Sequence, residues 1–589
     1  MLTAVDFIIK SVLIIFSFCF PFFYLNFTFE PTEQSKYLLL IISSLLLFFL
    51  STLKTALNKN IQYIKNSFTL PLFLIVTIYI ISSVVNSPNI FMVLQNPLSA
   101  STWIFLFVFF LVLVSIDDPD FHRKLMYSTV SGTAVVSVYS ILMYFNLFPK
   151  SVFTPAGNLL STSVFILIII IYQITALVFH QHKKNKLIPL VLLFITLSSE
   201  FILVLHLLTD QRPILLPHRV SFSILTQVLK SGKSLLLGVG PANYIAAFTL
   251  GKPAYINQTP IWNITFSSSS SFLFNMMTET GLLTGFIYIY ILLIVLYSLF
   301  KHHTLPPSQL SLLILMLFLV FLSSTVSLII LMVILLSYPP KTALLRTLNL
   351  SRLRLVIYLI PFSVLVFFLL ITFFTVRFYL AESFFRKSHD YLQAQNGTES
   401  YNMQKQAIKL NPYMDKYHTA VSQTSLLLAD SLSKKENPSP EDLQNIPRLV
   451  SQSIEEAKTA VRLNKTNVFN WLNLSKIYAS ISVYARDADK WAVDTAKQAI
   501  VLDPNNPNGY ITLSELYLKQ NSPEEAEKYA RRGLNLKNNL AKANLQLALV
   551  LIEKKDDVQA RQYLENALKL YRKDSPDYAK VEKLLETVK

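Results

Sequence analysis

The sequence predicts an all-α protein: a polytopic bundle of about eleven membrane-spanning helices, followed by a solenoid of paired helices. Hydrophobic residues make up 52% of the 589 residues, charged residues only 15%, and the mean hydropathy is +0.45. Charge is unevenly divided, because residues 1–379 hold 31 charged side chains and residues 380–589 hold 56. We therefore expect a membrane domain over 1–379 and a water-exposed domain over 380–589.

Nine apolar runs are each long enough to cross about 30 Å of hydrocarbon as a helix. They occupy 11–29, 37–53, 67–86, 100–116, 125–148, 161–180, 187–208, 272–300 and 355–379. A further run, 309–338, is interrupted by Leu322-Ser323-Ser324-Thr325. This run is interpreted either as one long helix or as a tight pair of short helices.

The basic residues of the loops favour the pair, because cytoplasmic loops are enriched in Lys and Arg. With the amino terminus inside, the loop 339–354 is cytoplasmic only if 309–338 crosses twice; it carries Lys341, Arg346, Arg352 and Arg354. We therefore predict eleven spans, and a re-entrant hairpin at 309–338 is a variant that predicts the same topology for the carboxy-terminal domain. The long loop 209–271 and the domain 380–589 are then both extracytoplasmic.

The net charge of +17 also belongs mainly to the apolar part, which carries +13 of it. Basic residues between membrane spans indicate loops that face a membrane surface, and no nucleic-acid partner is expected.

The carboxy-terminal part repeats its pattern of large and small residues. Residues Tyr510, Leu513, Tyr517, Ala526, Ala530 and Gly533 correspond, 34 positions later, to Asn544, Leu547, Leu551, Ala560, Leu564 and Ala567. An earlier copy is displaced by 39 positions, which indicates an insertion around 481–489. A period of 34 is that of tetratricopeptide repeats, in which large residues of one helix fill the space left by small residues of the next. Such stacks bind protein partners or serve as rigid spacers, and the sequence leaves both open.

Glycines are concentrated in and after the long loop. Six of the eleven lie within 54 residues: Gly232, Gly238, Gly240, Gly251, Gly281 and Gly285. This stretch contains neither a P-loop nor a dinucleotide fingerprint, and the nine histidines show no zinc spacing. We expect no metal and no cofactor. Lys230, Lys233 and Lys252 are expected to be solvated.

An ordered set of motifs in the same region carries a resemblance. It consists of Leu216-Pro217-His218-Arg219, Leu237-Gly238-Val239-Gly240-Pro241-Ala242-Asn243-Tyr244, Trp262, Phe266, Phe272 and Thr278-Glu279-Thr280-Gly281-Leu282-Leu283-Thr284-Gly285-Phe286. This set resembles the O-antigen ligase and polymerase superfamily of bacterial membrane glycosyltransferases, many of which carry tetratricopeptide tails. The resemblance is clearest over residues 150–300.

The resemblance implies transfer of a glycan from an undecaprenyl-diphosphate donor to a glycan, lipid or protein acceptor, on the outer face of the bacterial cytoplasmic (inner) membrane. Arg212 and Arg219 suit the diphosphate, because guanidinium groups match phosphate oxygens without a metal. Asp210 and Glu279 are candidate carboxylates, which either serve as a base or brace the loop. The candidate substrate-binding residues are Gly238, Gly240, Asn243, Ser270 and Ser271.

One departure from the family pattern bears on activity. Ligases of this superfamily place a His-Asn pair about eleven residues before the glycine matched by Gly281, and that register falls on Ser270 and Ser271. Either another group activates the acceptor, or the chain follows the polymerase branch, or it is catalytically silent. His218 is a candidate substitute base.

Three functions follow in order of support. The first is a lipid-linked glycan ligase or polymerase whose site is formed by loop 209–271 and the adjoining helix ends. The second is an inert membrane-anchored scaffold whose repeats recruit partners for envelope or glycan assembly. The third, a lipid-linked oligosaccharide flippase, requires charged residues inside the membrane, and the spans offer few.

Overall fold

The computed structural model describes residues 1–64, 66–145, 147, 156–179, 187–209, 213–301, 306–338, 345–349, 354–482 and 485–588. The chain forms two compact units. Unit 1 comprises Met1–Ser221, Leu229–Ala242 and Ser268–Arg386; unit 2 comprises Phe222–Val228, Asn243–Ser267 and Lys387–Lys589. The loop between the seventh and eighth predicted spans therefore contributes to both units, which a division at residue 379 does not anticipate.

The first sixteen helices extend to residue 393. They are α1 Leu2–Cys19, α2 Pro31–Asn58, α3 Thr69–Asn86, α4 Ile90–Gln95, α5 Ala100–Val114, α6 Pro119–Tyr144, α7 Leu159–Val178, α8 Leu187–Thr209, α9 His218–Val228, α10 Gly232–Leu237, α11 Tyr244–Gly251, α12 Phe272–Thr280, α13 Leu282–Lys301, α14 Pro307–Phe321, α15 Val326–Leu336 and α16 Arg354–Gln393. Local signals set several of their starts. For example, the Asp118 carboxylate accepts hydrogen bonds from the Asp120 and Phe121 amides at the start of α6, and Asn158 caps α7.

Apolar helices dominate unit 1. Among the described residues, eight are long and apolar enough to cross a membrane, judged by length and composition: α1, α2, α3, α6, α7, α8, α13 and α16. Three shorter apolar helices, α5, α14 and α15, bring the set to eleven. All eleven residues of α15 are buried, as expected for a helix that is apolar on every face. The number that cross a membrane stays a prediction.

The run 309–338 forms two helices, α14 and α15, which pack against each other. Their link lies beside the start of α2 and of α12, because the Val326 amide donates to the Glu33 carboxylate (2.8 Å) and the Phe272 amide donates to the Leu322 carbonyl (2.8 Å). The carboxy-terminal end of α15 lies beside α6, where the Tyr338 hydroxyl donates to the His122 carbonyl (3.0 Å). The pair of short helices is thus the correct interpretation of this run.

One small sheet departs from the predicted all-α fold. Strands β1 Asn60–Ile64 and β2 Leu345–Asn349 pair antiparallel, with Asn60 opposite Asn349 and Ile64 opposite Leu345. Both belong to loops that the charge pattern assigns to the same side of the membrane. The sequence does not predict the strands, because each is only five residues long and its partner is distant along the chain.

Unit 2 contains the paired helices α17 Gly397–Leu410, α18 Asp415–Ser433, α19 Pro440–Leu463, α20 Val468–Ile481, α21 Ala488–Leu502, α22 Pro507–Lys519, α23 Pro523–Leu536, α24 Ala541–Glu553, α25 Asp557–Leu570 and α26 Pro576–Thr587. Helices α22 and α24 begin 34 residues apart, as do α23 and α25, whereas α20 begins 39 residues before α22. The predicted period and the five-residue displacement are both confirmed. The carboxy-terminal helices are tetratricopeptide-type repeats.

Small residues allow the repeat helices to approach closely. A Cβ atom added at Gly533 would lie 3.2 Å from Ile511 Cγ1 and 3.3 Å from the Pro507 carbonyl oxygen. Ala530, one turn earlier, and Ala567, the equivalent of Gly533 in the next repeat, are fully buried. The predicted packing of large residues against small ones is therefore present in the structure.

Candidate functional site

The loop 209–271 returns to unit 1 at a cluster of polar side chains that includes the candidate base. His218 Nδ1 lies 3.1 Å from Ser270 Oγ, and Ser270 Oγ lies 2.8 Å from Ser221 Oγ. His218 is exposed, whereas both serines are buried. The structure thus brings the His218 imidazole within hydrogen-bond distance of Ser270.

Helix geometry explains how His218 and Ser221 reach the same serine. They are three residues apart in α9, so their side chains share one face of the helix. The Ser270 amide also donates to Ser221 Oγ (3.2 Å), and the Ser269 amide donates to Asn275 Oδ1 (3.0 Å). The serine run is therefore an ordered turn, and we call His218, Ser221 and Ser270 the His-Ser cluster.

Ser271 has a structural part in this turn. Its hydroxyl donates to the Val320 carbonyl (2.6 Å) and accepts from the Phe274 amide (3.2 Å), which caps α12. The Ser271 hydroxyl therefore anchors the start of α12, next to Ser270 in the chain.

The glycines form a second cluster at the other end of α12. The α10 end and the α12 end cross backbone against backbone: a Cβ at Gly238 would lie 2.3 Å from the Glu279 carbonyl carbon, and a Cβ at Gly281 would lie 2.3 Å from the Leu236 carbonyl carbon. Gly238, Gly281 and Gly240 have positive φ angles of 63°, 86° and 96° respectively. Only glycine satisfies both requirements without strain. We call this crossing the glycine crossing.

Helix α3 supplies the remaining contacts of the glycine crossing. Asn86 Nδ2 donates to the Leu237 and Gly238 carbonyls (3.2 and 3.0 Å), and Ser82 Oγ donates to the Leu237 and Glu279 carbonyls (2.6 and 3.0 Å). The amides of the glycine loop are occupied as well. Val239 and Gly240 donate to the Thr278 and Glu279 carbonyls, and Gly238 donates to the Ser234 carbonyl. These amides are committed to protein carbonyls rather than directed at a phosphate.

Glu279 belongs to the glycine crossing and not to the His-Ser cluster. Its side chain is buried, and its carboxyl group accepts a hydrogen bond from the Ala242 amide. About eight residues of α12 separate it from Ser271, which is roughly 12 Å at 1.5 Å per residue. The contact with Ala242 is compatible with a bracing role, and both interpretations of this carboxyl group, as a base or as a brace, stay predictions.

Of the two arginines that are candidates for binding the diphosphate, the structure describes only Arg219. Arg219 is exposed on α9, directly after His218. Arg212 and Asp210 lie outside the described residues. Lys230 and Lys233 are exposed, as expected.

Lys252 and Asn243 belong to unit 2. Lys252 is buried, so the expectation that it is solvated was wrong. Its ammonium lies 2.9 Å from one carboxylate oxygen of Asp503, which is also buried, and 3.1 Å from the other. Burial raises the pKa of the Asp503 carboxyl, and the Lys252 ammonium opposes that shift. Asn243 Oδ1 accepts a hydrogen bond from Thr466 Oγ1 (3.0 Å).

Three residues of these clusters were missed from the sequence: Ser221, Ser82 and Asn86. The signal for Ser221 was its spacing of three residues from His218 on a helix. The signal for the other two was a group of polar residues at the end of an apolar span, Ser82-Ser83 followed by Asn86-Ser87. Among the described residues, no group of three or more His, Cys, Asp or Glu is placed to hold a metal ion.

No family model matches the chain. Among curated proteins, it is similar to the E3 ubiquitin-protein ligase CHIP of Arabidopsis thaliana, with 30% identity over 95 residues, which are 16% of this chain and 34% of that protein. The chain therefore spans about a third of the length of the curated relative it matches.

Among solved structures, the chain is similar to pilF of Pseudomonas aeruginosa, with a TM-score of 0.28 and 18% identity over 36% of this chain and 86% of that chain. It is also similar to a thermophilic TPR protein of Thermus thermophilus, with a TM-score of 0.27 and 16% identity over 35% and 98% of the two chains. A third is YrrB, described as a TPR protein with an unusual peptide-binding site, with a TM-score of 0.26 and 11% identity over 35% and 92%. These similarities concern the fold alone.

Proposed function

We propose that this protein is a membrane glycosyltransferase of the O-antigen ligase or polymerase type. It transfers or polymerises an undecaprenyl-diphosphate-linked glycan on the outer face of the bacterial cytoplasmic membrane. The observation that supports the proposal is the His-Ser cluster, in which His218 Nδ1 lies 3.1 Å from the hydroxyl of Ser270, the residue at the register of the histidine that this sequence lacks. Arg219 follows it on the same helix.

The chemistry assigned to these residues is a displacement at the anomeric carbon. With Nδ1–H donating to Ser270 Oγ, the lone pair of His218 Nε2 is left to accept the proton of the acceptor hydroxyl. The acceptor oxygen forms the new glycosidic bond while the bond from the anomeric carbon to the diphosphate oxygen breaks. Undecaprenyl diphosphate leaves with the bonding electron pair, and the guanidinium of Arg219 stabilises its charge.

The proposal also requires the candidate site to lie on the outer side of the membrane, because the donor presents its glycan outside the cytoplasm. The contact of Lys252 with Asp503 supports a common compartment for the loop and the repeats, since both belong to unit 2. That arrangement requires an even number of crossings between residues 267 and 387. Helices α13 and α16 supply two, so α14 and α15 together supply two or none, as the loop charges also favour.

Substitution of Arg219 and His218 tests the proposal. We expect Arg219→Ala to abolish surface glycan assembly and His218→Ala to lower it by about 10²–10⁴-fold, the usual contribution of a general base. The measurement is the length distribution and amount of surface glycan at equal protein abundance. Lys230→Ala, which removes an exposed cation of the same loop, is the control and should leave the glycan unchanged.

The inert scaffold is the second candidate, and the presence of tetratricopeptide-type repeats favours it. It makes the opposite prediction for the same variants. Unchanged glycan in both Arg219→Ala and His218→Ala would contradict the enzyme and support the scaffold.

A further inference from the structure

The links between consecutive repeats have equivalent positions in unit 2. The first residue after helices α19, α21 and α23 is Asn464, Asp503 and Lys537 respectively. All three are polar and buried, with 4%, 4% and 7% of their surface exposed. We call these links, residues 464–467, 503–506 and 537–540, the repeat edge.

Residues 243–262 of the long loop lie along the repeat edge. Thr466 Oγ1 donates to Asn243 Oδ1 (3.0 Å) in the first link. In the second link, Asp503 pairs with Lys252, and Asn505 Nδ2 donates to the Lys252 carbonyl (2.8 Å).

The next residues of the loop continue from the second link to the third. Asn257 Nδ2 donates to the Asn505 carbonyl (2.8 Å), and Lys537 Nζ donates to the Asn257 carbonyl (2.7 Å). The Lys537 ammonium also lies 5.0 Å from the centre of the Trp262 ring, within the range of a cation–π interaction. Loop residues of increasing number thus meet successive repeats in order.

Charge and burial show that the repeat edge is matched to this occupant. The equivalent position of two repeats carries an acid, Asp503, and a base, Lys537. The acid meets a lysine, and the base meets a carbonyl oxygen and an indole ring. A buried charge without such a partner is strongly destabilising. Asn505 adds two hydrogen bonds to the loop, one through its side chain and one through its carbonyl.

We propose that the repeat edge is a binding surface for a peptide segment and that its resident occupant is this chain's own loop, residues 243–262. The repeats order the loop within the same molecule. This inference goes beyond the proposed glycan transfer and does not depend on it.

Charge reversal with rescue tests the proposal on the full-length protein in detergent micelles. Hydrogen exchange followed by mass spectrometry reports the protection of backbone amides in 252–262. We expect Lys252→Asp and Asp503→Lys each to accelerate exchange there by at least about tenfold, because each brings like charges together in a buried site. The double variant restores the opposite pair and should return exchange to within about threefold of the parent, since the rescued interaction is pairwise.

Two further variants keep the test decisive if charge reversal disturbs folding. Asn505→Ala removes one side-chain hydrogen bond to the loop and leaves the buried ion pair intact, and it should accelerate exchange in 252–262 alone. Glu515→Lys reverses one charge of a partly exposed ion pair with Lys542 (2.9 Å) in the same repeats and is the matched control. Exchange that is unchanged in both single reversals and in Asn505→Ala, or a double variant no slower than the faster-exchanging single variant, would overturn the proposal. Because exchange is measured without substrate, a failed glycan assay leaves this result independent.

Discussion

The local backbone geometry explains why glycines are concentrated between residues 232 and 285. The glycine crossing requires positive φ angles and the absence of Cβ atoms at the same positions, so conformational freedom and close approach coincide at Gly238 and Gly281. The sequence indicated that the backbone is constrained in this stretch. The structure shows a joint between α10 and α12 that α3 closes with Asn86 and Ser82. The role of this loop in substrate binding stays a prediction.

Substitution of Gly281 should therefore destabilise the protein, whereas substitution of Gly232 should be tolerated. We expect Gly281→Ala to destabilise the protein by about 2–5 kcal/mol, because left-handed strain adds to a backbone clash. Gly232→Ala is the control, since a Cβ there meets no atom within 4 Å and Gly232 does not have a positive φ angle. Thermal unfolding of the two purified variants in detergent measures the difference. Equal melting temperatures would contradict this account of the crossing.

The candidate site shows what sequence reasoning could and could not reach at this scale. His218 and Ser270 were each identified, one as a substitute base and the other as the register of the missing histidine. Their contact was not predicted, because 52 residues separate them and the loop between them contributes to both units. Helix spacing could have added Ser221, but only the fold places its hydroxyl against Ser270.

Among the elements, α14 and α15 show how a helix start can be stabilised from a distance. The Glu33 carboxylate at the start of α2 accepts the hydrogen bond of the Val326 amide, the first residue of α15. A carboxylate at a helix amino terminus satisfies a free amide and also interacts favourably with the helix dipole. Gly157 lies against the same carboxylate, since a Cβ there would be 2.6 Å from Glu33 Oε1.

Removal of this distant cap should weaken the pair of short helices. We expect Glu33→Ala to lower the free energy of unfolding by about 0.5–2 kcal/mol, the range measured for lost helix caps. Glu30→Ala, at an exposed position just before α2, should have no comparable effect. Chemical or thermal unfolding in the same detergent compares the variants. A loss as large in Glu30→Ala would mean that the cap is not the cause.

The elements also differ in how well the sequence predicted them. The repeats were predicted with their period and their displaced copy, because each helix pair carries its own pattern of large and small residues. The short strands β1 and β2 were not predicted, because their pairing partners are remote and their pattern is weak. The break at Leu322–Thr325 was recognised, and the choice between its two interpretations came from loop charge.

At the scale of the whole molecule, membrane topology connects every proposal. The chain has a single cysteine, Cys19, so engineered cysteines can report accessibility in a Cys19→Ser background. We expect a membrane-impermeant maleimide added to intact cells to label both Tyr255→Cys in the loop and Arg572→Cys in the repeats, both of which are exposed positions. Arg123 is exposed near the start of α6, in the segment between the apolar runs 100–116 and 125–148 that is predicted to face the cytoplasm, so Arg123→Cys should react only after the cells are opened.

The labelling result tests two predictions separately: that the loop and the repeats share one compartment, and that this compartment lies outside the cytoplasm. Labelling of one of the first two positions without the other would contradict the shared compartment. Protection of both positions, with labelling of Arg123→Cys, would reverse the orientation and leave the glycan donor inaccessible.

The distance along the chain between Lys252 and Asp503 has a consequence for biogenesis. They are 251 residues apart, and a ribosome adding about 5–20 residues per second needs roughly 10–50 s to cover that interval. The loop is therefore synthesised long before Asp503 and the neighbouring repeat residues that bury Lys252. Maturation of this segment is coupled to completion of the polypeptide, and nascent chains that stop early present an unshielded stretch to proteases and chaperones.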